Sequence, residues 1–158
     1  MAKVLIACYS RSGYTRSLAE EMAGMTGWDL EEITDLHPRT GNWGFIRCLL
    51  DVFLDRRPGI QTTGKDPSAY GLVVLAAPVW ARSLSAPMRS YIARHRPELK
   101  ALAFACTYGG RGAENAARLA STIAGKPVKA VLAVTSQELD QGDYRAKLDA
   151  FLAEIRRA

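Results

Sequence analysis

Lys3-Val4-Leu5-Ile6-Ala7-Cys8-Tyr9 runs into Ser10-Arg11-Ser12-Gly13-Tyr14-Thr15, after which Leu18, Ala19, Met22 and Ala23 recur at helical spacing until Gly24 and Gly27. A short apolar run, a polar turn holding a glycine and an amphipathic period read as strand, loop and helix. The alternation continues along the chain. Trp28 to Thr34 is expected to be a second strand, and Leu30 and Ile33 set among acids give it the pattern of an edge. Leu72 to Ala77, Leu102 to Thr107 and Val128 to Thr135 are almost unbroken apolar runs, expected as central strands buried on both faces.

Helices fill the intervals. Ser85 is placed to cap one that carries Pro87 in its first turn, buries Met88, Tyr91 and Ile92, and stops before Pro97. Ala113, Ala116, Leu119, Ala120 and Ile123 form another, closed by Gly125 and Pro127. Asp143 is expected to cap the last, whose inner face is Tyr144, Leu148, Phe151, Leu152 and Ile155. Between Asp35 and Ala69 an apolar stripe of Phe45, Ile46, Leu49, Leu50 and Phe53 lies opposite Arg47, Asp51 and Asp55, so a crossover helix from Gly44 to Asp55 is expected to pack this stripe on the sheet, with Cys48 at the core edge. Five strands alternating with helices imply a doubly wound parallel α/β sheet. Residues 1–158 are expected to form a single domain, since the length leaves little room for a second.

Composition narrows the classes. With 48% hydrophobic and 23% charged residues the chain is an ordinary globular one, and no apolar run approaches the roughly 20 residues of a membrane span. The stretch from Val4 to Cys8 is too short for a secretory h-region, so a cytoplasmic location is expected. The three cysteines, Cys8, Cys48 and Cys106, form no C-x-x-C pair, and His37 and His95 stand far apart, so neither a disulfide framework nor a metal site is indicated. A net charge of +5 admits an anionic small molecule or an acidic protein as partner. The basic residues are dispersed and no nucleic-acid-binding motif is present.

In doubly wound sheets ligands lie outside the carboxyl ends of the strands, so the loops there carry function. Ser10 to Thr15 offers hydroxyls and backbone N–H groups at a helix N-terminus, which can cradle a phosphate; equally, Ser12 or Thr15 can cap that helix. The P-loop pattern G-x-x-x-x-G-K-[ST] is absent, and a cysteine-phosphatase loop from Cys8 would need arginine where Tyr14 stands. Ala77 to Pro87 places Trp80 at the mouth of the crevice, to stack on a planar ring or to pack on its neighbours. Cys106 to Ala113 contains Tyr108 and the small residues Gly109, Gly110 and Gly112, which let backbone approach a ligand or simply form a turn. Gly110-x-Gly112-x-x-Asn115 is a near miss to the dinucleotide fingerprint, but it follows the fourth strand rather than the first. Together the three loops suit a planar cofactor with a phosphate tail.

The segments V-L-I-A-C-Y-S-R-S-G-Y-T-R-S-L-A, Y-G-L-V-V-L-A-A-P-V-W-A-R-S-L-S-A-P-M-R-S-Y-I and A-F-A-C-T-Y-G-G-R-G-A-E-N resemble, in order, the three FMN-binding loops of the flavodoxin family. The resemblance implies a five-stranded sheet in the order 2-1-3-4-5 and non-covalent FMN. By position, Ser10, Arg11, Ser12, Gly13, Tyr14 and Thr15 would surround the phosphate. Pro78, Val79, Trp80 and Ala81 would flank one side of the isoalloxazine, and Thr107, Tyr108, Gly109, Gly110 and Gly112 the other. Tyr14 stands where relatives usually have a small polar residue, and Arg82 where they commonly have glycine.

The implied function is electron transfer through a flavin, which supplies the chemistry, and no side-chain constellation for catalysis stands near the loops. The basic charge, unlike that of acidic carrier flavodoxins, favours a small quinone or flavin-type reductase over a carrier. A redox protein or a small anionic or quinone acceptor is the expected partner. The alternative is an interaction module that keeps the scaffold without FMN. Arg11, Arg82 and Arg111, one in each loop, are expected to set a positive rim.

Overall fold

The computed structural model describes residues 2–158. Its strands are β1 (Val4–Tyr9), β2 (Asp29–Asp35), β3 (Ile60–Thr62), β4 (Leu72–Trp80), β5 (Ser83–Leu84), β6 (Leu102–Tyr108) and β7 (Val128–Thr135). The helices are α1 (Tyr14–Thr26), α2 (Gly41–Phe53), α3 (Ala86–His95), α4 (Ala113–Ala124), α5 (Ser136–Gln141) and α6 (Arg145–Arg157). The sheet runs β3-β2-β1-β4-β6-β7, with β5 paired to β4 alone. This corrects the expected five-stranded 2-1-3-4-5 sheet. The α/β class stands, but the described residues form seven strands and the sheet is mixed, because β3 and β5 pair antiparallel to β2 and β4.

Side chains alternate across the sheet. Leu5, Ala7, Val73, Leu75 and Phe104 face Met88, Tyr91, Ile92, Ala116 and Ala120 of α3 and α4. Ile6, Val74, Ala105 and Leu132 face Leu18, Met22, Leu148, Phe151 and Leu152 of α1 and α6. β1, flanked by β2 and β4, is buried along its whole length.

Four further expectations are corrected. β2 is not an edge, since β3 covers its outer side through Ile33–Thr62 to Asp35–Ile60. β7 is an edge and not a central strand; Lys129 is exposed and Val131 is 48% exposed between buried Ala130 and Leu132. Asp143 does not cap the last helix: Tyr144 holds the N-cap position, and its hydroxyl bonds Glu21. Before it lies the unexpected α5, begun by a capping box between Thr135 and Glu138.

The fourth concerns α2, whose orientation is reversed. Gly44, Cys48 and Asp51 face inward, while Phe45, Ile46 and Leu50 are exposed and Phe53 is 78% exposed. The cause is polar. Asp51 takes an ion pair from Arg39 at 2.5 Å, and a Cβ at Gly44 would collide with the Arg39 backbone, so this face alone can approach the Arg39 segment. Leu49 is half-buried.

Candidate functional site

The loops after β1, β4 and β6 open at one end of the sheet, because these three strands are adjacent and parallel. At the first, Gly13 adopts φ 96°, a left-handed conformation that glycine tolerates, and begins α1 with no side-chain cap. The ladder starts with Ser17 N–H donating to the Gly13 carbonyl at 2.9 Å, so the amides of Tyr14, Thr15 and Arg16 precede it. Neither Ser12 nor Thr15 caps the helix. Ser12 is exposed, and Thr15 is buried with its Oγ1 2.7 Å from Oγ1 of Thr107. That contact ties the first loop to the end of β6. Ser10 Oγ accepts from Gly13 N–H at 3.0 Å and shapes the turn. Tyr14 turns aside, its hydroxyl donating to Asp140 at 3.2 Å, and the Asp140 carboxylate raises the phenol's pKa. Arg11 also turns away, donating to the carbonyls of Arg39 and Gly41 at 3.3 Å each.

The second loop is a hairpin. Trp80 pairs with Ser83, and the two residues between them, Ala81 at φ 47° and Arg82 at φ 61°, are both left-handed. Such two-residue turns normally use Asn and Gly, so Arg82 stands in a glycine conformation. Asn115 holds it there by donating Nδ2–H to the Arg82 carbonyl at 3.0 Å. Gly112 completes the fit, since a Cβ on it would meet the Arg82 backbone. Arg89, buried on α3, clamps the hairpin by donating to the Leu84 carbonyl, Ser83 Oγ and Asp55. The Trp80 ring meets Tyr9 edge-on at 5.6 Å, and the Arg39 guanidinium lies 5.2 Å from its centre. Val79, Trp80 and Ala81 line a hollow of about 200 Å³ with Arg11, Phe45 and Leu49.

At the third loop Gly110 and Gly112 have φ of 111° and 95°, and Gly112 begins α4 without a side-chain cap. Tyr108, Gly110 and Gly112 border a hollow of about 400 Å³ with Arg111, Asn115 and Arg118. Pro78 pairs with Thr107 across β4 and β6, and exposed Gly109 follows Tyr108. Arg82 and Arg111 are exposed. Another hollow, of about 260 Å³, lies among Val4, Trp28, Leu72, Ala101 and Ile155, away from the three loops.

Sequence reading missed the support beneath the site. Arg39, with a side chain 1% exposed, bonds Asp35 at 3.0 Å and Asp51 at 2.5 Å, and its Nη1 has no hydrogen-bond partner among the described residues. Burial lowers its pKa, but Asp51 and Asp35 outweigh this and raise it overall. Asp35 also accepts from the Tyr9 hydroxyl at 2.7 Å; burial first, and then this carboxylate, push the phenol's pKa well up. No periodicity marks Arg39 or Arg89, whose roles depend on side-chain contacts between elements that an apolar period does not show. Cys8 and Cys106 are buried in the core, and burial pushes both thiols up to about 12. Among the described residues no acid, histidine and cysteine cluster could hold a metal, and no helix is long and apolar enough to cross a membrane.

No protein-family model and no curated protein sequence matches the chain. Solved structures do. A flavoprotein from Lactobacillus acidophilus NCFM, crystallised with FMN, superposes with a TM-score of 0.75 at 22% identity, over 89% of this chain and 98% of that one. A protein from Bacteroides eggerthii assigned as a flavoprotein gives 0.77 at 23% identity, over 96% and 99% of the two chains. Megasphaera elsdenii flavodoxin gives 0.55 at 15% identity, over 92% and 94%. With its mostly parallel sheet, helices on both faces and three loops at one end, the chain thus has the flavodoxin-like fold.

Proposed function

We propose that this chain is an FMN-binding flavoprotein that passes electrons, acting as a small quinone or flavin-type reductase. The observation that carries the reading is the open start of α1: three amides ahead of the helical ladder, no side-chain cap and a buried Thr15 hydroxyl, at the end of the sheet where the other two loops also lie. A helix terminus of this kind favours a phosphate. Ser10, Ser12, Gly13 and Thr15 hold that group, and Tyr14 contributes its amide rather than its hydroxyl. Pro78, Val79, Trp80 and Ala81 flank the isoalloxazine on one side, and Thr107, Tyr108, Gly109, Gly110 and Gly112 on the other. FMN supplies the electron-transfer chemistry, while the protein binds, orients and shields it.

The FMN found in the Lactobacillus flavoprotein supports the cofactor. The likeness to an NAD(P)H:quinone oxidoreductase from Methanothermobacter marburgensis, with a TM-score of 0.51 at 15% identity, supports the reaction class. The net charge of +5, with Arg82 and Arg111 exposed on two of the loops, supports an anionic or quinone acceptor over a conventional carrier role.

Titration with the folded protein is expected to quench FMN fluorescence saturably, and absence of saturable binding refutes the reading. Hydrogen bonds to charged groups contribute about 1.5 to 3 kcal/mol, so Thr15→Val should weaken FMN by roughly 10- to 100-fold. Riboflavin, which lacks the phosphate, should change little; equal loss for both would assign Thr15 a structural role only.

A further inference from the structure

The outward side of α2 presents Trp43 (72% exposed), Ile46, Leu50, Phe53 and Leu54. With Phe45 beside them, the uncovered parts amount to roughly 700 Å² on side chains of which the aromatic ones offer about 150 to 250 Å² each. The largest apolar patch on an ordinary monomer is about 300 to 600 Å², whereas each partner in a standard interface buries about 800 Å². The face is therefore larger than a monomer usually exposes and close to what one side of a stable pair needs.

Its pattern identifies the occupant. Trp43, Ile46, Leu50 and Phe53 follow the alternating three- and four-residue spacing of a helix–helix seam. The spacing reads the same from either end, with the large aromatics outermost and the aliphatics central. Two antiparallel copies of α2 thus set Trp43 of one against Phe53 of the other, and Ile46 against Leu50. The helix has 13 residues and is about 20 Å long, enough for this set of contacts. Its polar side is already used within the chain, where Asp51 meets Arg39.

We propose that α2 is a homodimer interface in which a second copy of this chain packs its own α2 antiparallel across a two-fold axis. No acid alternates with the apolar residues of the seam, and the nearby cations Arg47 and Arg56 already meet the His37 carbonyl and Asp51, so salt should leave the pairing intact. A lipid surface or an acidic partner held by the same arginines would instead be released by salt.

The test is molar mass by light scattering and sedimentation on the full chain, with FMN present and absent, from 1 to 200 µM. The expected mass at tens of micromolar is twice 17.3 kDa, retained in 0.5 M NaCl. Leu50→Glu combined with Phe53→Glu should return it to 17.3 kDa with an unchanged far-ultraviolet circular dichroism spectrum. Should that variant not fold, Trp43→Cys with Phe53→Cys gives a second measurement, since mild oxidation should trap a covalent dimer while the three native cysteines stay buried. A mass of 17.3 kDa throughout, a dimer undiminished in the glutamate variant, or a monomer that co-sediments with phosphatidylglycerol vesicles would each overturn the proposal. FMN binding is read separately, so failure of the dimer and failure of the cofactor assignment are distinguishable.

Discussion

Replacing Arg39 by Met keeps an unbranched apolar stem but removes the guanidinium that anchors α2 beneath Trp80. Arg39, Asp35 and Asp51 have side chains that are 1%, 6% and 4% exposed, so the substitution leaves two buried carboxylates without their main partner. Breaking a buried pair in this way costs about 3 to 5 kcal/mol. Residual support places Arg39→Met at the lower end of that range: Asp35 keeps the Tyr9 hydroxyl at 2.7 Å, and Arg56 stands 3.6 Å from Asp51. The cation over the Trp80 ring adds roughly 0.5 to 1 kcal/mol. With a urea dependence of about 2 kcal/mol per molar, a combined loss near 4 kcal/mol moves the unfolding midpoint down by about 2 M. The assay is equilibrium urea unfolding at pH 7, followed by circular dichroism and by tryptophan fluorescence. A midpoint shift below about 0.5 M would refute the reasoning, because the ion pairs would then contribute no more than exposed ones do.

Two other outcomes are expected. Arg82→Gly relieves a left-handed residue that lacks glycine's freedom; after allowing for the greater entropy of the unfolded chain, it should stabilise by about 0.5 to 1 kcal/mol and raise Tm by roughly 1 to 4 °C, whereas a lower Tm would show that the arginine's own contacts matter more. Cys8 and Cys106 bind their protons more tightly folded than unfolded, since burial pushes them from 9.0 to about 12, so their contribution is fully present below about pH 9 and is lost as pH rises towards 12. The urea midpoint should therefore fall between pH 8.5 and 10, at about 1.4 kcal/mol per pH unit for each thiol once unfolded thiols ionise, and Cys106→Ala should make the fall less steep.

Local pattern made the parallel strands and their loops legible because continuous apolar runs and helical periods are local signals. Apolar period failed at α2, where it located the helix but assigned its inner face wrongly. A stripe of Phe45, Ile46, Leu50 and Phe53 reads as core-facing unless one knows that Asp51 has Arg39 to meet, and that contact joins the helix to the segment before it rather than following the helical period. β7 misled in the same way, since Val128 to Thr135 is apolar but for Lys129 and Thr135, yet no strand among the described residues lies beyond it. α5 was readable: Thr135 and Glu138 have the spacing of a capping box. At the site, the positions of the three loops were foreseen, but the left-handed hairpin at Ala81 and Arg82 was not, because neither residue type advertises it.

The contact between Thr15 and Thr107 has a consequence for proton direction. Each hydroxyl owns one hydrogen, and at 2.7 Å only one of the two can lie between the oxygens. If Thr15 gives its hydrogen to Thr107, none remains for an anion at the start of α1. If Thr107 gives instead, the Thr15 hydrogen is released towards the anion and polarised by the bond behind it. An anion bound there as proposed would therefore select one of two hydrogen arrangements, and a residue at the end of β6 that need not touch the anion would set how strongly the first loop holds it. On the proposed phosphate site Thr107 would thus act with the loop after β1, although 92 positions separate it from Thr15 in the chain.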